Sequence, residues 1–168
     1  HRMRSFSKRL MCRYGGDPTG KPYKAATTFF CLDADTHQPV CFTAGSSAIS
    51  VSQATPGLLK LSAAILNPVQ GQSLVLADTE HYTAAIVDYC KMETPFDLLV
   101  PMDNTKSLQE RLRALPASSF THRWAGFSTA KVPYQMKRAQ TGPHWIYAQR
   151  CGEREQDWRL KAFLSTRD

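Results

Sequence analysis

The stretch Leu74-Val75-Leu76-Ala77-Asp78-Thr79-Glu80-His81-Tyr82 constrains the fold more than any other, because an apolar run stops at an acid and turns polar. No polar residue interrupts Leu74 to Ala77, which predicts a strand buried on both faces. Asp78 then sits at the strand's carboxyl end, where open α/β sheets gather ligands because the chain leaves the apolar layer there. Tyr82 to Cys90 offers Ala84, Ala85, Ile86, Val87 and Tyr89 to a helix packed back on the sheet, and Phe96 to Val100 is a second apolar run after Thr94-Pro95. Strand, helix and strand with short joints predict parallel pairing through a right-handed crossover.

A length of 168 residues is about one domain. No apolar run approaches the roughly 20 residues that span a bilayer, and the start lacks a signal-peptide pattern, so the expected location is the cytoplasm, with no membrane partner. The five cysteines are odd in number and lack zinc spacing, so they read as reduced thiols. Cys31 and Cys41 would face each other across a hairpin.

The balance of 21 Lys+Arg against 14 Asp+Glu gives a net charge of +7, which favours a polyanionic partner. Solvated surface charge is the other reading. The cations cluster: Arg2, Arg4, Lys8, Arg9 and Arg13 load the start, and Arg111, Arg113, Arg123, Lys131, Lys137, Arg138 and Arg150 load the last third. Between Ala25 and Val100 only Lys60 and Lys91 are basic.

From His1 to Tyr14 the chain starts abruptly in a basic segment without an initiator Met, as a piece of something longer would. Gly15 to Lys21 matches most of a phosphate-cradling loop, but Pro22 stands where the magnesium-binding Ser or Thr belongs and a strand follows, so the segment reads as a Gly/Pro loop. Ala25 to Leu32 and Pro39 to Thr43 form a hairpin around the polar link Asp33 to Gln38. Asp33 and Asp35 there have the spacing by which haloacid-dehalogenase-type phosphatases present a nucleophile and its acid partner, and a plain turn is the competing use. Thr55-Pro56 predicts a helix start, with Leu58, Leu59, Leu61, Ala64, Ile65 and Leu66 as its apolar stripe and Asn67-Pro68 as its end. Further on, Ser107 to Leu115 is a short basic helix. Phe120 to Phe127, Lys131 to Lys137, His144 to Arg150 and Trp158 to Leu164 are candidate strands.

Phe30 to Thr36, then Gln38 to Phe42, then Leu76 to Tyr82 resemble the catalytic domain of bacterial insertion-sequence DDE transposases, which have a ribonuclease H-like fold. The resemblance runs from about Lys21 to Asp168. It implies a mixed α/β sheet with flanking helices over residues 1–104, incomplete in this chain, and a β-rich insertion over 105–168. In that family three carboxylates hold two magnesium ions for in-line attack on a phosphodiester, because magnesium asks for hard oxygen ligands. Asp78 matches the second acid, a catalytic residue and ligand of Mg2+ or Mn2+. The first acid would precede His1 and the third would follow Asp168. Glu153 and Glu155 read as turn residues and do not take the third role. The implied function is metal-dependent DNA strand cleavage and strand transfer in a parent protein, possible as a homodimer, with this chain inactive alone. The implied DNA-binding residues are Arg123, Trp124, Lys131, Lys137, Arg138, Trp145 and Arg150, and one of Trp124, Trp145 and Trp158 would stack on a flipped base. Core packing is the alternative use of each Trp. His81 would orient a water or phosphate, or make a structural hydrogen bond. A dehalogenase-type phosphatase built on Asp33 and Asp35, and a non-catalytic DNA-binding module, are the other functions left open.

Overall fold

The computed structural model describes residues 2–4, 12–13 and 23–167. Two compact units divide the chain, His1–Asn67 and Pro68–Asp168. The Gly15 to Lys21 loop and Lys8 and Arg9 lie outside the described residues.

In the first unit, β1 (Arg2–Arg4) and β2 (Cys12–Arg13) both pair antiparallel with β3 (Tyr23–Leu32), which also pairs with β4 (Pro39–Ser46). The expected hairpin is therefore present, in a register that sets Cys31 opposite Cys41, both free thiols. Asp33 closes its turn: Oδ1 accepts the Thr36 N–H at 2.7 Å and the Thr36 hydroxyl at 2.7 Å. These bonds hold the exposed Asp33 carboxyl below its ordinary pKa, with the Thr36 N–H the largest cause. Helix α1 (Val51–Leu66) packs on β3 and β4 and buries Leu58, Leu59 and Ser62. Ser62 Oγ lies 3.1 Å from the buried Cys41 Sγ.

The helix starts earlier than Thr55-Pro56 implied. Ser50 and Gln53 form a reciprocal capping box, satisfying backbone N–H groups at the start, so Pro56, read as the first helical position, lies inside the helix instead. Thr55, read as the cap, instead donates its hydroxyl to the Val51 carbonyl at 2.8 Å. Asn67 in the left-handed region ends the helix, as read.

The second unit holds β5 (Ser73–Leu76), α2 (Ala84–Glu93), β6 (Phe96–Pro101), α3 (Lys106–Arg113), β7 (Thr121–Trp124), β8 (Phe127–Tyr134), β9 (His144–Cys151) and β10 (Arg159–Ser165). Its six-stranded sheet runs β5-β6-β10-β9-β8-β7. The β5–α2–β6 unit is parallel, as expected, and the remaining pairs are antiparallel. The strands after residue 105 thus continue the sheet that β5 and β6 begin, through β10 beside β6.

Strand β5 departs from the buried strand expected at Leu74 to Ala77. The strand lies at the edge of the sheet, with Leu74 37% and Leu76 61% exposed, so it is not buried on both faces. The buried run is β6 beside it, where Phe96, Leu98 and Val100 are all inside. They meet Ile86, Val87 and Cys90 of α2, Leu108 and Leu112 of α3, and Ile146, Ala148, Leu160, Ala162 and Leu164 of the antiparallel strands in one core. Burial pushes the Cys90 thiol up to about 12, so it is an inert core group. No helix among the described residues is long and apolar enough to cross a membrane.

At the β9–β10 turn Gly152 has φ +126, and a Cβ there would lie 2.8 Å from the Asp157 carbonyl oxygen. Gly152→Ala is expected to destabilise the second unit by roughly 2 kcal/mol, since both conformation and space exclude a side chain. A thermal melt followed by tryptophan fluorescence checks this, because Trp124, Trp145 and Trp158 all lie in that unit.

Candidate nucleic-acid interface

Beyond Leu76 the chain makes one more sheet bond, from the Ala77 N–H to the Leu99 carbonyl at 3.1 Å, and then leaves the sheet. Asp78 caps the short 3-10 turn Thr79–His81 that follows. Its Oδ1 accepts the Glu80 N–H at 3.1 Å and lies 2.7 Å from His81 Nδ1. The carboxylate is 70% exposed, whereas the imidazole is only 20% exposed. His81 therefore makes the structural hydrogen bond that was one of its two expected uses. No group of three His, Cys, Asp or Glu side chains able to hold a metal ion gathers among the described residues. By themselves, these residues do not build a magnesium site around Asp78. Glu153 and Glu155 fall in the β9–β10 connection, as read.

Tyr82 follows Asp78 and its hydroxyl meets that of Tyr134 on β8 at 3.1 Å. Burial, then the Tyr134 hydroxyl, raise the Tyr82 pKa well above the ordinary tyrosine value, so the phenol stays neutral. Arg111 of α3 lies over the Tyr134 ring at 4.9 Å. Two further acids escaped the sequence reading, and both are structural. Asp88 of α2 holds the Gln140–Thr141 backbone, and Asp97 of β6 pairs with Arg167.

The cations of the last third sit on a different kind of surface. Strands β7 to β10 contain no Asp or Glu, yet carry Arg123, Lys131, Arg150, Arg159 and Lys161. Side chains alternate across a sheet, and here one parity is buried: Ser128, Ala130, Ile146, Ala148, Leu160, Ala162 and Leu164. The other parity carries the exposed Lys131 and Lys161 and the half-buried Trp145, Tyr147 and Phe163. In this register Lys131 stands opposite Tyr147 across β8–β9, and Tyr147 opposite Phe163 across β9–β10. Lys131 Nζ lies 4.2 Å from the Trp145 ring centroid and 5.8 Å from that of Tyr147. Arg123 reaches the same face, its Nε donating to Thr129 Oγ1 at 2.9 Å.

The expected DNA-binding residues thus fall into separate places. Arg123, Lys131 and Trp145 share one face. Trp124 is 62% exposed and stacks on Phe127 at 4.3 Å. Arg150 has the buried-face parity, and its guanidinium is sandwiched between the Phe120 and Trp158 rings at 4.2 Å each, with Nε donating to Ser128 Oγ at 3.0 Å. That sandwich lines a cleft of about 370 Å³ with His122, Gly126 and Glu153. Lys137 and Arg138 are exposed in the β8–β9 connection. Tyr147, Phe163 and Lys161 were not singled out from sequence. Alternation in strands free of acids is the signal that finds them.

No protein-family model, no curated protein and no solved structure matches this chain.

Proposed function

We propose that the chain is a DNA-binding part of a ribonuclease H-like transposase, in which the antiparallel strands grip DNA and Asp78 supplies one carboxylate toward metal-dependent strand cleavage and transfer. The observation that carries this reading is the acid-free, cation-bearing set β7 to β10 joined in one sheet to a parallel β5–α2–β6 unit. Such strands favour phosphates, because each Lys or Arg that meets one releases condensed counterions. The parallel unit sets Asp78 just past a strand's carboxyl end, the place in α/β sheets where acids serve chemistry. When bound, Mg2+ or Mn2+ would supply activation of the attacking oxygen, with Asp78 as its one proposed ligand in this chain. That no metal-holding group forms around Asp78 among the described residues favours a second reading, a non-catalytic DNA-binding module. Asp33 commits its carboxylate to the hairpin turn, so no observation favours the phosphatase.

Titrating the chain with a labelled DNA duplex at several salt concentrations tests the grip. Four or five phosphate contacts would make log affinity fall with log salt at a slope of roughly −4. Flat salt dependence would sink both readings, as would no binding to this duplex or to its separated strands. Millimolar Mn2+ separates them. Paramagnetic broadening of the amides of residues 78–82, lost in Asp78→Asn, supports the transposase, and its absence leaves the binding module.

A further inference from the structure

We infer that the face of β8, β9 and β10 that carries the exposed Lys131 and Lys161 beside the half-buried Trp145, Tyr147 and Phe163 is a platform for unpaired DNA nucleotides rather than for duplex. This rests on the DNA-binding reading above and names the form of DNA this face takes. The Lys131–Tyr147–Phe163 row runs across three neighbouring strands, and Trp145 stands two residues from Tyr147 on β9. Residues so placed are roughly 7 Å apart along a strand and about 5 Å apart between strands, so the rings form one contiguous patch. Thr129 and Gln149 extend it with hydrogen-bonding groups, and Lys161 stands opposite Gln149. Arg123, Lys131, Arg159 and Lys161 supply charge, and no carboxylate on these strands offsets it.

This chemistry selects among occupants. An apolar partner layer would bury Lys131 and Lys161 without counter-charge, at a large desolvation cost. A duplex would satisfy the cations but keep its base faces stacked internally, leaving Trp145, Tyr147 and Phe163 unused. Unpaired nucleotides use both, since every base has a face to lay on a ring and a phosphate for a cation. Lys131 lies over the Trp145 ring, and its flexible stem lets Nζ move to a phosphate as a base takes its place.

Fluorescence anisotropy with a labelled single-stranded oligonucleotide, and with its duplex, tests the inference. The intact chain should prefer the single strand by about tenfold. Tyr147→Leu, which keeps bulk but removes the π face, should lower single-strand affinity about tenfold and leave duplex affinity unchanged. Lys131→Gln and Lys161→Gln should each reduce the salt slope by about one. Because ring substitutions near a core can disturb folding, the unmodified chain is also photocross-linked to a bromodeoxyuridine-containing strand. Cross-links at Lys131, Trp145, Tyr147, Lys161 or Phe163 support the platform, and cross-links confined elsewhere, the Arg150–Trp158 cleft included, overturn it. Equal single-strand affinity of Tyr147→Leu and the intact chain also overturns it, with duplex binding left standing. A chain that binds neither form of DNA removes the platform and the DNA-binding reading together.

Discussion

Asp88→Ala is expected to destabilise the Pro68–Asp168 unit by about 3 kcal/mol, because four hydrogen bonds converge on one carboxylate. The Gln140 N–H reaches both oxygens, at 3.0 and 2.9 Å, and Oδ1 also accepts the Thr141 N–H at 2.8 Å and the Thr141 hydroxyl at 2.6 Å. The residue is 8% exposed, so donors left without it face a poorly hydrated space. Having given its proton to Asp88, the Thr141 hydroxyl meets the buried His144 Nε2 at 3.1 Å as an acceptor, which ties the loop to the first residue of β9. One helix residue therefore fixes the connection that carries Lys137 and Arg138.

The same bonds set a pH dependence. Burial by itself would raise the Asp88 carboxyl pKa, but the Gln140 N–H, then the Thr141 hydroxyl and N–H, hold it below the ordinary value. A carboxyl whose pKa is lower folded than unfolded contributes stability above the unfolded value of about 3.9 and loses it as pH falls through the folded value. The penalty of Asp88→Ala should be full at neutral pH and smaller below pH of about 3. Urea unfolding followed by tryptophan fluorescence at both pH values reads the difference. Equal penalties would mean that the carboxylate charge plays no part in the clamp.

How far the sequence reveals this molecule depends on whether a feature is local or made by pairing at a distance. The hairpin and the strand–helix–strand unit were legible because a polar link and apolar periodicity encode them within a few residues. The early start of α1 was legible too, in Ser50 and Gln53, but Pro56 is the louder local signal and it misleads. The burial of β5 was not legible. Leu74 to Leu76 has a core strand's composition, and its place at the edge follows from β10 taking the far side of β6, a partner over 60 residues away. The cationic face was half legible. Arg123, Lys131 and Trp145 were expected together with Trp124, Lys137, Arg138 and Arg150, and alternation separates Arg150 from the first three. That Tyr147 and Phe163 complete the row depends on the β9–β10 register, which no local pattern announces. Asp88 and Asp97 look like surface acids in sequence, and only the fold brings the Gln140–Thr141 amides and Arg167 to them.

Arg167→Ala is the second large effect, and it tests whether the end of β10 governs the strand that delivers Asp78. Arg167 Nε lies 3.0 Å from Asp97 Oδ2, and its Nη2 donates to the Gly71 carbonyl at 3.0 Å. Asp97 is 4% exposed and stands opposite Leu74 in the β5–β6 register, so removing the guanidinium strands a buried carboxylate beside β5. Breaking a fully buried pair costs about 3–5 kcal/mol, and the Arg167 side chain is 39% exposed, so about 2 kcal/mol is expected here. Asp97→Asn in the same chain should recover part of the loss, because the unpaired charge is then gone and a double-mutant cycle registers the coupling. Arg167→Lys should recover less than half, since an ammonium does not reproduce the fork that spans Asp97 and Gly71. The damage should be local as well as global: amide exchange at residues 71–77 should quicken more than at β9, because the Gly71 anchor leads directly into β5. If Arg167→Ala melts like the parent chain with β5 exchange unchanged, the pair is only a surface contact, and Asp78 owes its position to the β6 ladder alone.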